Sequence, residues 1–131
     1  MSKLDHIGVV VKSIDEALKL YSGLLGIDPA GEEVIEARGI KVCFLDVDGV
    51  KIELLQPIRE DSEISSYLEK KGEGLHHLAY NVENVKELIG KAKELGIKPL
   101  TDEPKPGAHN TQVVFIHPKT ANGVLTELVQ H

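Results

Sequence analysis

The chain repeats itself, and that repeat narrows the possible folds more than any other feature of its 131 residues. Asp5-His6-Ile7-Gly8-Val9-Val10-Val11 lies over His76-His77-Leu78-Ala79-Tyr80-Asn81-Val82, and in the same register Ser13 falls on Asn84, Ile14 on Val85 and Glu16 on Glu87. One gap later, Gly26-Ile27 falls on Gly96-Ile97. Val50-Lys51-Ile52-Glu53-Leu54 then matches Val124-Leu125-Thr126-Glu127-Leu128 at a slightly longer offset, so the second copy carries a few more loop residues.

Each copy reads as a strand, a helix and three strands. In the first, the Val- and Ile-rich run Leu4 to Val11 predicts a strand. Ser13 predicts a helix N-cap, with Asp15 and Glu16 in the first turn and apolar Ile14, Ala17, Leu18, Tyr21 and Leu24/Leu25 at helical spacing up to Gly26. Strands are expected over Glu33 to Ala37, Ile40 to Val47 and Val50 to Leu55, the last two joined at Asp48-Gly49. Arg59 to Gly74 reads as a linker with at least one helical turn, Ile64 and Leu68 on its apolar side. The second copy gives a strand over Leu75 to Val82, a helix from cap Asn84 through Leu95, a short strand at Leu100 to Asp102, a Pro- and Gly-rich loop, and strands over Gln112 to Ile116 and Val124 to Val129.

A four-stranded sheet with one helix on one face leaves its other face open. The fold class expected is therefore α+β: two repeated βαβββ modules forming a curved eight-stranded sheet around a metal-binding cleft, helices outside. One domain is expected, with module one about 1–58, a linker about 59–73 and module two about 74–131.

The formal net charge of -6 argues against non-specific binding of nucleic acid or an anionic membrane. No segment approaches the ~20 apolar residues needed to span a bilayer. The amino terminus enters a strand pattern at once, with no basic segment followed by an apolar stretch, so a cytoplasmic location is expected. The single cysteine, Cys43, sits in the apolar run Val42-Cys43-Phe44-Leu45 and reads as a buried structural thiol, with no disulfide framework.

Alternation along a strand places Leu4, His6, Gly8 and Val10 on one face and Ile7, Val9 and Val11 on the other. The second set is more uniformly apolar and suits contact with the helix, which leaves His6 facing the cleft. The same rule separates His77 from His76, and Glu53 and Glu127 from their apolar neighbours. His6, Glu53, His77 and Glu127 are thus expected on the concave side at repeat-related positions, with small Gly8 and Ala79 leaving room beside the histidines. Nitrogen and oxygen donors of this kind suit Zn, Co, Ni, Mn or Fe. A cation also removes the cost of keeping a carboxylate charged in an apolar-walled cleft. His76 reads as a supporting or structural residue, and His109, His117 and His131 as loop or surface residues. His109 lies in Gly107-Ala108-His109-Asn110, a candidate loop for contact with a substrate.

With its ligands on the first and last strand of each half, the repeated unit resembles the vicinal oxygen chelate (glyoxalase/bleomycin-resistance) superfamily. Within it, several stretches resemble the methylmalonyl-CoA epimerase family: Asp5-His6-Ile7-Gly8-Val9, Lys51-Ile52-Glu53-Leu54-Leu55-Gln56-Pro57, Gly74-Leu75-His76-His77-Leu78-Ala79, Pro106-Gly107-Ala108-His109, and His117-Pro118-Lys119 leading to Gly123-Val124-Leu125-Thr126-Glu127-Leu128. The resemblance implies a divalent-metal-dependent isomerase that interconverts two acyl-CoA epimers by moving the proton alpha to the thioester. It implies one metal ion per chain (Co, Mn, Ni or Zn), held by His6, His77 and Glu127. Glu53 falls at the fourth ligand position, which some relatives fill with Gln. Glu127 and Glu53 are the candidate acid and base. A homodimer is implied as well, and Lys105, Lys119, Lys41 and Lys51 are candidates for the rim that meets CoA phosphates. The rival readings are a glyoxalase I-like lactoylglutathione lyase and a metal-free member that sequesters a small molecule. An extradiol dioxygenase is disfavoured, because the usual extra module is lacking.

Overall fold

The structure, a computed structural model, describes residues 3–131. It contains two compact units: one holds the chain up to His6 together with His77–His131, the other Ile7–His76. The first strand, β1 (Lys3–Val10), contributes to both.

In the Ile7–His76 unit the strands β2 (Pro29–Ile35), β3 (Ile40–Val47) and β4 (Val50–Pro57) pair in the order β2-β3-β4-β1. The β3–β4 hairpin turns through Asp48 and Gly49, both at positive φ, 54° and 89°, which is the backbone an Asp-Gly turn favours. Helix α1 (Ile14–Leu18) begins at Ser13, whose side chain accepts from the Glu16 N–H. Val11, Ile14, Cys43, Leu45 and Leu54 form the core beneath it, so the helix covers the Val9/Val11 face as alternation predicts. Cys43 is buried there, and burial, with Glu32 nearby, pushes its thiol pKa up.

The other unit orders its strands β5-β8-β7-β6, from β5 (Gly74–Asn81), β6 (Lys105–Pro106), β7 (Gln112–Ile116) and β8 (Thr126–Gln130). With the helix of Glu63–Lys71 numbered α2, the helix here is α3 (Val85–Glu94), capped by Asn84 on the Glu87 N–H and packed through Val85, Leu88 and Ile89 against Val82, Val114 and Leu128. β5 runs parallel to β8, and β7 antiparallel to it.

The gap in the repeat has a physical form. After Leu18 the first helix continues as a π-helical turn, Lys19–Leu24, where α3 stays α-helical. The extra residue of the first copy is absorbed by widening one turn, and both helices still end at a left-handed glycine, Gly26 or Gly96.

Other elements differ from the sequence expectation. β2 starts earlier and ends at Ile35, because Glu36–Arg38 form a 3-10 turn closed by Gly39 at φ 66° and held by the Arg59 guanidinium on the Glu36 carbonyl. The stretch read as a linker carries the helix α2 (Glu63–Lys71), capped by Ser62 and anchored by fully buried Ile64. Leu100 to Asp102 is not a strand. Only a bridge, Pro99 to Ile116, forms nearby, and the short strand pairing with β7 is Lys105–Pro106. Pro104 and Pro106 lack the N–H groups a longer ladder needs. β8 begins at Thr126 rather than Val124, after a 3-10 turn at Pro118–Thr120 and Gly123 at φ 84°.

Each last strand also grips its own helix. Gln56 Oε1 accepts from the Ile14 N–H at 2.8 Å, and Gln130 Oε1 accepts from the Val85 N–H at 2.8 Å. These are the first helical N–H groups, which have no intrahelical acceptor. Ile14 and Val85 are 1% and 0% exposed, so water is no substitute. Gln130→Ala is expected to lower stability by about 1–3 kcal/mol, the cost of stranding a buried donor. Urea unfolding measures the loss, and Gln56→Ala is expected to match it.

Candidate metal centre

Three polar side chains meet in the unit that holds both histidines. His6 on β1, His77 on β5 and Glu127 on β8 are 5%, 5% and 3% exposed. His6 Nε2 lies 2.8 Å from Glu127 Oε1, His77 Nε2 lies 3.0 Å from the same oxygen, and the two nitrogens are 3.1 Å apart. The alternation rule accounts for this: His77 shares its face with buried Ala79, and Glu127 with buried Val129.

Aromatic rings flank the cluster. The His6 and His77 rings meet edge to face at 5.1 Å, and Phe115 meets His77 the same way at 5.3 Å. Phe115 stands directly across the β7–β8 ladder from Glu127. The chain has two phenylalanines, and the other, Phe44, stands directly across β3–β4 from Glu53. Glu53 is itself buried on β4.

Asp5 supports His6, and His131 supports Asp5. The His6 Nδ1–H donates to Asp5 Oδ2 at 2.7 Å, and His131 Nε2–H donates to Asp5 Oδ1 at 2.7 Å. Burial pushes the Asp5 carboxyl up, but hydrogen bonds and charge from His6 and His131 outweigh it and lower its pKa. His131 is exposed as expected, yet bonded. His76 turns elsewhere, its ring edge-on to Tyr67 at 4.7 Å. His117 Nδ1 accepts from the Lys119 N–H in a turn, and His109 is exposed at φ 56°. Lys105 and Lys119 are exposed, while Lys41 pairs with Glu32 at 3.1 Å.

Glu127 Oε1 is the atom that needs explaining. It is buried and close to two imidazoles, yet it accepts no directed hydrogen bond. Three atoms in a triangle of about 3 Å edges cannot all be joined by linear hydrogen bonds, because a proton on one edge turns away from the third atom. A cation facing all three resolves the conflict. The donor set and spacing therefore fit one divalent ion, and the three residues form a group that could hold it.

Without metal, burial pushes the Glu127 carboxyl up, but close contact with His6 and His77 and their positive charge hold it down to about 2. A depressed carboxyl stabilises the folded state fully above its ordinary value of 4.5 and ceases to do so as the pH falls through about 2. The urea midpoint of metal-free protein is expected to fall across that window, and Glu127→Gln to flatten the fall.

The family model for the glyoxalase/bleomycin resistance protein/dioxygenase superfamily matches residues 5–115. The chain belongs to this superfamily. Among similar superfamily proteins, an ethylmalonyl-CoA/methylmalonyl-CoA epimerase of Cereibacter sphaeroides is 37% identical, covering 99% of this chain and 98% of its own. A methylmalonyl-CoA epimerase solved with methylmalonyl-CoA and an ammonium ion aligns at TM-score 0.91 and 34% identity, covering 99% of this chain and 94% of its own. A hypothetical protein of Bacillus halodurans C-125 aligns at TM-score 0.96 and 44% identity, over 99% and 94%. The eight-stranded repeated βαβββ architecture expected from the sequence is the fold of this superfamily. Among the described residues no helix is long and apolar enough to cross a membrane.

Proposed function

We propose that the chain is a divalent-metal-dependent methylmalonyl-CoA epimerase, one domain of two βαβββ modules, with His6, His77 and Glu127 as metal ligands. The observation that carries the metal assignment is the buried triangle of His6 Nε2, His77 Nε2 and Glu127 Oε1. The choice of reaction rests on the relatives named as epimerases. A sequestering protein has no use for that triangle, which disfavours the metal-free reading.

A bound divalent cation supplies Lewis-acid charge at the substrate's thioester oxygen, making the adjacent carbon more acidic. The chain's residues do the rest. His6 and His77 would hold the cation through Nε2, and Phe115 packs edge-on against the His77 ring. Glu127 turns Oε1 toward the two imidazoles and is one of the two carboxylates we assign to proton transfer. Inversion needs one group to take the α-proton from one face and another to deliver a proton to the opposite face, their roles exchanging with direction. The repeat gives Glu127 one counterpart, Glu53, and we assign it the second role on that relation. Two imidazoles and a carboxylate would accept Co, Mn, Ni or Zn. Lys105 and Lys119 are the basic residues we assign to the CoA phosphates, and the assembly we expect is a homodimer in the cytoplasm.

Incubation of the metal-loaded protein with one epimer of methylmalonyl-CoA in deuterium oxide tests the reading. The expected result is deuterium at the α-carbon and the appearance of the other epimer, both abolished by a chelator. Recovery of undeuterated, unchanged substrate overturns it.

A further inference from the structure

The geometry points to Asp5 as a positioning residue for metal binding: it fixes the His6 ring through Nδ1 so that Nε2 faces His77 and Glu127, and His131 fixes Asp5 in turn. This rests on the reading of His6 as a metal ligand.

Asp5 is not itself a donor to the same ion. Its Oδ2 sits on Nδ1, at the edge of the ring away from the one His6 presents to Glu127. An ionised carboxylate only accepts, so Nδ1 carries the proton and Nε2 is left with the lone pair that a metal requires. Both Asp5 oxygens are engaged at 2.7 Å, and its side chain is only 11% exposed, so the anion cannot swing away cheaply. A carboxylate behind a ligating imidazole fixes its tautomer and ring orientation and makes it a better donor. The device belongs to the first half only, because the repeat puts His76 before His77, and His76 meets Tyr67 instead. The pair also ties β1 to the residue that follows β8.

The test compares Co(II) dissociation constants for wild type, Asp5→Asn, His131→Gln and His6→Ala, each prepared metal-free and titrated against a chelator of known affinity. Asp5→Asn is expected to raise Kd by about 10- to 100-fold, and His131→Gln by a smaller factor, with Asp5→Glu restoring part of the loss. Proton NMR of the Co(II)-loaded proteins supplies a second readout, which a merely structural role would not move. The shifted Nδ1–H signal of His6 is expected to exchange slowly with water in wild type and fast in Asp5→Asn. Wild-type Kd in both Asp5→Asn and His131→Gln, with the signal unchanged, overturns the inference while leaving the metal site standing. Should Asp5→Asn fail to fold, His131→Gln, which keeps Asp5, decides the matter alone. Tight Co(II) binding by His6→Ala instead overturns the metal-site reading, and this inference with it.

Discussion

A His77→Ala variant is expected to purify without divalent metal and to lose deuterium exchange into the substrate, while a His76→Ala variant keeps both. The two residues are neighbours in sequence and alike in chemistry, so only their faces separate them. His77 Nε2 lies 3.0 Å from Glu127 Oε1, whereas the His76 ring packs against Tyr67. Loss of an outer partner of a ligand costs about 10- to 100-fold in metal affinity, so loss of the ligand itself is expected to exceed about 100-fold. It also leaves Glu127 buried with one imidazole instead of two and opens a gap beside Phe115. Metal analysis and exchange kinetics on the two variants check the outcome. Equal metal content in both would remove His77 from the site.

The second large effect belongs to Glu53. Glu53→Gln keeps the shape of the side chain and removes its capacity to take a proton. With Glu53 as one of two proton-transfer groups, exchange is expected to slow by about 10²- to 10⁴-fold, the usual contribution of a positioned acid or base. The loss should be specific to one epimer, and metal content should stay at one ion per chain. Glu127→Gln is expected to slow exchange and to weaken metal binding together, because Glu127 supplies a donor atom as well. Following deuterium uptake from each epimer separately distinguishes the two roles. Wild-type exchange of both epimers by Glu53→Gln would reduce Glu53 to a wall residue, leaving the metal site intact and the second base unassigned.

Much of this was legible in the sequence because it rests on two periodicities. The repeat paired β1 with β5 and β4 with β8, and alternation along each strand sent His6, His77 and Glu127 to one face. Alternation also hides the role of Asp5. Adjacent residues of a strand point to opposite faces, so Asp5 and His6 look unrelated. Yet Nδ1 lies close to the backbone, and a short carboxylate can bend back to reach it at 2.7 Å. Nothing local could have revealed His131, since its bond to Asp5 joins residues far apart in the chain. The π-helical turn was visible only as a gap in the repeat, because periodicity counts residues without saying how a helix accommodates one more. The edge strand Lys105–Pro106 hid in a Pro-rich stretch whose composition signals a loop. The paired phenylalanines did leave a signal: Phe44 and Phe115 obey the same offset as the two histidines, and both face a glutamate.

Anomalous diffraction from a Co(II)-soaked crystal tests whether three side chains from separate strands share one cation. One strong peak per chain is expected, within bonding distance of His6 Nε2, His77 Nε2 and Glu127 Oε1. A fully soaked crystal with no peak there, or with its only peaks on surface carboxylates, would contradict this expectation.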